Sequence, residues 1–451
     1  MEDWINYITF DSDQMQVFYV SKEVDSLEFK VGESDWQPTG KRRVLFGGNR
    51  GKLSLRATNK KGTDGATFLF GTDANVVCIG DIRTLVDYLN YKNADTSEAT
   101  FHNLFKNCKQ LIFPPELYSS ELAEGCFLSM FEGCSSLKAA PDLPAKKMAD
   151  SCYHSMFKDC TSLERSPKLP AKKLAVLCYY SMFEGCKTLE VPPLLPAVHL
   201  DDYCYEYMFA GCSSLKYLSK LPAKELSDSC YKSMFKGCSS LKEAPELPAT
   251  KMKNHCYDSM FCGCTSLEVV PDLPAKELDD SCYESMFKDC TSIEKVFELP
   301  AIDLAPHCYD SMFYGCESLK KVPLLPGKVL AEACYAHMFS FCTSLESAPE
   351  LPATKLTNHC YYSMFKNCTS LKASPKLPAK ELISCCYAYM FYECSSLQQV
   401  TMMATVINAN NCISKWLSGT AEAGTFYKKK KAQWKYKHAI PDNWKVEEID
   451  A

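Results

Sequence analysis

From Cys126 onward the chain repeats itself with a step of 26 residues and neither insertion nor deletion. Units begin at Cys126, Cys152, Cys178, Cys204, Cys230, Cys256, Cys282, Cys308, Cys334, Cys360 and Cys386. A degenerate copy precedes them at Thr100 (TFHNLFKNCKQLIFPPELYSSELAEG), and a last one starts at Cys412 and soon loses the pattern. So strict a step is the signature of stacked repeats, each touching only its neighbours. It overrides what the length of 451 residues would otherwise suggest, two or three separate domains.

One unit, CYKSMFKGCSSLKEAPELPATKMKNH (230–255), stands for the rest. Asp228 suits a helix N-cap, and Asp150, Asp202, Asn254, Asp280, Asn358 and Ser384 fill the same slot. Cys230, Tyr231, Met234 and Phe235 follow at i, i+1, i+4 and i+5, the spacing of one helical face. Gly237 comes next, matched by Gly133, Gly185, Gly211, Gly263 and Gly315, with Asp159 and Asn367 elsewhere. All tolerate the left-handed conformation that ends helices. The spacing therefore predicts a helix of roughly nine residues, too short to stand without stacking. In the other half, Leu241 and Leu247 are expected inside and Glu246 to Ala249 to form a short parallel strand. The Pro248 column removes a ladder donor from every copy, so strands of two or three residues are expected. The fold class read from this is an α/β solenoid of about 12 units over residues 100–411, each a short strand plus a short helix.

The 27 cysteines raise the question of disulfides or metal. Two cysteines eight helical residues apart would stand ~12 Å from each other, beyond the reach of a disulfide. The Cys238 column, nearer the strand edge, could approach its neighbours more closely. The expected role is that of small buried hydrophobes, with a weak S–H donor available to a carbonyl. The core columns are thus Cys230, Met234, Phe235, Cys238, Leu241 and Leu247. His255, His307 and His359 each precede a column cysteine, and Cys262 and Cys385 add further thiols. A zinc site needs four converging ligands; parallel columns do not converge, and the three histidines, expected at helix N-termini, lie two or four units apart. No metal and no cofactor are expected.

Residues 1–80 read as a small antiparallel β domain, with VFYVSKEV, SLEFKVG, RRVLFGG, KLSLRAT, ATFLFGT and NVVCIG as its strands. Residues 81–99 read as a linker whose helix, IRTLVDYLNY, covers the first repeat; residues 412–451 read as the opposite cap, with Trp416, Trp434 and Trp444. Lys428 to Lys431, with Tyr427, Lys435, Tyr436 and Lys437, is the one strong basic run. It is either a solvated loop or a contact for nucleic acid or anionic lipid. The net charge of −5 otherwise gives no footprint for nucleic acid. The opening MEDWINYITFDSDQ lacks the regions of a secretory signal, and no stretch has the apolar length of a membrane span. As written, the chain is expected to be soluble and cytosolic or phage-associated, unless a leader has been removed.

The motif SMFKGCSSL followed by EAPELPA resembles the BspA-like leucine-rich repeats, abundant in gut Bacteroidetes and their phages, over about residues 100 to 415. The segments FGGNRGKLSLRAT, GDIRTLVDYLNY and AIPDNWKV are similar to the flanks of such arrays. The resemblance implies a right-handed leucine-rich solenoid and non-enzymatic roles: adhesion, partner binding, sometimes phage association. The 26-residue step is longer than the shorter repeat typical of the founding surface proteins. A place on the cell surface rests on the resemblance alone.

Motifs for hydrolysis, phosphate binding or dinucleotide binding are missing from the sequence, and His154, His199 and His337 have no recurring partner. Variable outward columns are therefore the candidates for function. One runs Asp142, Lys168, Leu194, Lys220, Glu246, Asp272, Glu298, Leu324, Glu350 and Lys376. A second runs Lys138, Glu164, Glu190, Lys216, Lys242, Glu268, Glu294, Lys320, Glu346 and Lys372, a row in which opposite charges on adjacent rungs would pair weakly. Leu194 and Leu324 are the apolar exceptions that a protein or glycan partner could use. The alternatives are a structural or receptor-binding part of a phage or secreted assembly, and an effector with its chemistry in residues 1–99.

Overall fold

The computed structural model describes residues 6–296, 298–430, 432 and 439–449. The chain divides into two compact units, Met1–Leu221 and Pro222–Ala451.

The first unit opens with β1 (Ile8–Asp11), β2 (Gln16–Val20), β3 (Glu28–Val31), β4 (Gln37–Pro38), β5 (Val44–Phe46), β6 (Leu53–Arg56), β7 (Phe68–Phe70), β8 (Val76–Ile79) and β9 (Leu111–Phe113). They form a six-stranded sheet in the order β4-β3-β6-β1-β8-β9 and a three-stranded sheet β5-β2-β7. Pairing is antiparallel except between β8 and β9. The β1 strand was not among the expected ones, although Ile8 and Phe10 alternate inward as a strand requires. Phe10 contacts Phe18, Phe68 and Phe70 and reaches Phe105 of the first repeat at 6.1 Å. Phe105 stacks in turn on Phe131 at 5.4 Å. The aromatic core of the β region thus passes directly into the repeats, and β9 adds the first rung to its sheet. The helix expected over 82–91 is absent. Asp81 accepts from the backbone N–H of Arg83 and supports only a 3-10 turn at Ile82–Leu85; a second lies at Tyr91–Asn93.

The repeats contain no α-helix among the described residues, which corrects the α/β expectation. What replaces it is a ladder of turns with a period of four. Ser229 and Ser233 have φ of 53° and Gly237 of 73°, so every fourth residue is left-handed. Backbone N–H groups then alternate between two partners. Those of Cys230, Lys232, Met234, Lys236 and Cys238 close turns onto the carbonyl three residues back. Those of Ser229, Tyr231, Ser233, Phe235 and Gly237 cross to the next rung, onto Asn254, Cys256, Asp258, Met260 and Cys262, at 2.7–3.1 Å. The first unit repeats this from Gly125, Phe127, Ser129, Phe131 and Gly133 onto the rung of Cys152. A helix would spend all these donors internally; here half of them bind the neighbouring copy. At Gly185, itself left-handed, a Cβ would collide with the Asp159 carboxylate of the rung before, so glycine is needed there.

The rings follow the same register. In the second unit Tyr231, Tyr257, Tyr283, Tyr309, Tyr335, Tyr361 and Tyr387 stack with centroids 5.7–5.9 Å apart. Phe235, Phe261, Phe287, Phe313, Phe339, Phe365 and Phe391 form a second file at 5.6–5.8 Å. The planes are near parallel, the offset arrangement that ring quadrupoles favour.

The proline half departs from expectation as well. Parallel contact falls not on Glu246–Ala249 but on its flanks, as at Glu243↔Val269 and Lys251↔Glu277. Prolines such as Pro245 and Pro248 remove donors between the flanks. Four strands pair in parallel in the order β10 (Ala373–Leu377), β11 (Gln399–Met402), β12 (Thr425–Lys429) and β13 (Lys445–Ile449); residues 398–404 hold no proline, whereas β10 keeps Pro375, where its register with β11 shifts. Trp416 and Trp444 close this end. Their indole N–H groups donate to the carbonyls of Ala439 and Ala421 at 2.7 and 2.9 Å. Trp434 lies outside the described residues.

Candidate interaction surface

The core columns sit where the sequence places them: Cys230, Met234, Phe235, Cys238, Leu241 and Leu247 are all at most 4% exposed. The 27 cysteines are free thiols, and all but Cys262 and Cys385 are buried. Without a helix the ~12 Å separation does not apply, and the two cysteine columns have different roles. Thiols of the second column donate to the carbonyl of the phenylalanine one rung back, as Cys264 does to Phe235 and Cys290 to Phe261, both at 3.1 Å. The same bond recurs from Cys134 to Phe105 at 3.0 Å and from Cys394 to Phe365 at 2.9 Å. First-column thiols, such as Cys256, fill space beside methionine sulfur. Burial pushes Cys256 and Cys264 up to about 12 and raises Tyr257 well above the phenol range. Neither the thiols nor the phenols of the core are available as nucleophiles or ligands.

The outward column behaves differently. Asp142, Lys168, Leu194, Lys220, Glu246, Asp272, Glu298, Leu324, Glu350 and Lys376 are all exposed, each next to a buried leucine. Leu194 is 80% exposed, and Val191 and Val198 on the same rung are 56% and 41% exposed. Tyr217, one rung after Val191, is 64% exposed. In the second unit Leu324 and Val329 share a rung at 63% and 65%, with Ile302 one rung earlier at 56%. Apolar side chains therefore cluster around Leu194 in the first unit and around Leu324 in the second, and Val269 is exposed singly. The second column forms the expected ion pairs between adjacent rungs: Lys216–Glu190 at 2.8 Å, Lys320–Glu294 at 3.3 Å and Lys372–Glu346 at 3.1 Å. Pairs this exposed fix little.

The basic run is not simply a loop. Lys428 lies in β12 and pairs with Glu448 at 2.7 Å. Lys431, Lys435, Tyr436 and Lys437 lie outside the described residues. On the turn face the structure joins residues that sequence reasoning kept apart. His255 Nδ1 is 3.2 Å from Asp258 Oδ2, and Glu284 of the next rung completes a group whose donor atoms lie within 4.8 Å of one another. The signal was the 26-residue step itself, which sets Asp258 beside Glu284.

Residues 195–303 and 280–415 match the BspA type leucine-rich repeat region, in six copies. The chain is a BspA-like leucine-rich-repeat protein, and its repeats form a solenoid-like array. No curated protein and no solved structure matches it. No helix among the described residues is long and apolar enough to cross a membrane.

Proposed function

We propose that this chain is a non-enzymatic binding protein, an adhesin-like scaffold whose repeats present an extended surface to a protein or glycan partner. The observation that carries the reading is the pair of apolar interruptions in otherwise charged columns, around Leu194 and around Leu324. Each of Leu194 and Leu324 leaves most of its apolar surface in water. Apolar groups rimmed by charge are the composition of an interaction site. The repeat core supports a scaffold role, since its thiols and phenols are buried and held in their neutral forms.

The test uses Leu194→Lys and Leu324→Lys in the full chain, with capture from host-cell lysate and binding to a defined glycan panel as readouts. Both side chains are exposed, so circular dichroism is expected to be unchanged while binding falls at least tenfold for one of them. Retention of every partner by both variants would show that another face binds.

A further inference from the structure

Rungs beginning at Cys256, Cys282 and Cys308 carry Asp258, Glu284 and Asp310 in one slot of the turn ladder. Their backbones are pinned: the carbonyls of Asp258, Glu284 and Asp310 accept from Ser233, Ser259 and Ser285, each at 2.8 Å. His255 and His307 are left-handed, with φ of 53° and 52°, and each turns Nδ1 back to within 3.2 Å of the aspartate three residues on. Glu284 stands on the rung between them, half-buried, and makes no ion pair among the described residues. Its carboxyl is held above the usual range by burial, with Asp258 and Asp310 adding to the effect.

We infer that His255, Asp258 and Glu284 form a site for a divalent transition ion. Donor atoms on one ion at bond lengths of ~2.0–2.2 Å lie about 3–4.3 Å apart. The 3.2 Å between His255 Nδ1 and Asp258 Oδ2 fits two neighbouring ligands. The three donor atoms lie within 4.8 Å of one another, about half an ångström wider than the span of ligands on one ion. Two carboxylates match the charge of a dication, and the imidazole favours the Mn2+ to Zn2+ series over Ca2+ or Mg2+. The ladder holds the three residues on a rigid backbone, so little order has to be gained on binding. Thiols take no part, because the nearby column sulfurs are buried and protonated. One resident cation competes: Lys232 Nζ lies 3.1 Å from Asp258 Oδ2. An incoming ion displaces that contact, which makes Lys232 a regulator of affinity with a sign opposite to that of the ligands.

The test is titration of the full-length protein with Mn2+, followed by the loss of the aqueous Mn2+ spin-resonance signal. Mn2+ is chosen because it avoids thiols. One saturable ion per chain is expected. Glu284→Gln and His255→Ala should each weaken binding at least tenfold, Lys232→Met should tighten it several-fold, and Cys262→Ser should leave it unchanged. Glu284→Gln keeps shape and sits half-exposed, so its fold is checked by circular dichroism before titration. Failure of the wild-type chain to bind Mn2+ saturably overturns the proposal. So does binding that Glu284→Gln leaves intact or that Lys232→Met fails to strengthen.

Discussion

Each 26-residue copy has two halves that solve the same stacking problem in opposite ways. The turn half, such as 229–238, sends five backbone N–H groups to the next rung, lines up two ring files and adds a thiol bond. The proline half, such as 243–251, makes single bridges at its edges and leaves its middle without them. Cohesion therefore resides in one half, and the other is free to vary on its surface. The apolar interruptions at Leu194 and Leu324 both fall in the loosely bonded half. The lesson is that a repeat can separate what holds it from what it shows.

The largest expected effect comes from alkali, which within each copy acts on the turn half, where the buried thiols and phenols lie. An unfolded thiol loses its proton near 9, whereas Cys256 and Cys264 in the fold are held up to about 12 and Tyr257 is raised as well. The folded chain thus binds more protons than the unfolded one in this window. Stability is unchanged below the ordinary thiol range and falls as pH rises through it, by about 1.4 kcal/mol per pH unit for each such group. Summed over many rungs, this predicts a sharp alkaline unfolding between pH 9 and 12, seen by circular dichroism at constant salt. A gradual, shallow loss would show that the buried columns are wetter than their packing implies.

A smaller effect separates the halves by substitution. Phe287→Ala removes a fully buried ring from the file between Phe261 and Phe313 and is expected to cost about 3–5 kcal/mol in urea unfolding. Pro271→Ala, in the loosely bonded half of the preceding copy, should cost only ~0.4–1 kcal/mol, through added freedom of the unfolded chain. Comparable losses would erase the distinction drawn above. The smallest effect is reserved for the surface row. Lys320→Ala breaks the pair with Glu294, whose side chains are 61% and 66% exposed, and should change stability by ~0–1 kcal/mol.

The stacking, the buried columns and the outward row were legible because they depend on the step of 26 and on alternation around Leu247. The helix was misread for a physical reason. Cys230, Met234 and Cys238 are spaced by four, as are Tyr231 and Phe235. A helical face also shows i, i+1, i+4 and i+5, and the drift between a 3.6 and a 4.0 period is about 40° per turn, too little to notice over two turns. The evidence for turns lay in Ser229, Ser233 and Gly237, also four apart, small or left-handed-tolerant residues that a helix interior does not want at that interval. The His255, Asp258 and Glu284 group was hidden differently, since reading along one copy never shows what the next copy brings beside it. Strand β1 was overlooked beside an acidic N-terminus even though its inward residues alternate.

The equality of successive joints has a consequence for how such a chain can change length. Excising 256–281 would lay Tyr231 on Tyr283 and Phe235 on Phe287, ring pairs of the same kind as those removed. The core of the seam would be built from the same residue types as any other. Whole copies can therefore be gained or lost without breaking the ring files. A fractional copy cannot, because it would throw every later file out of line.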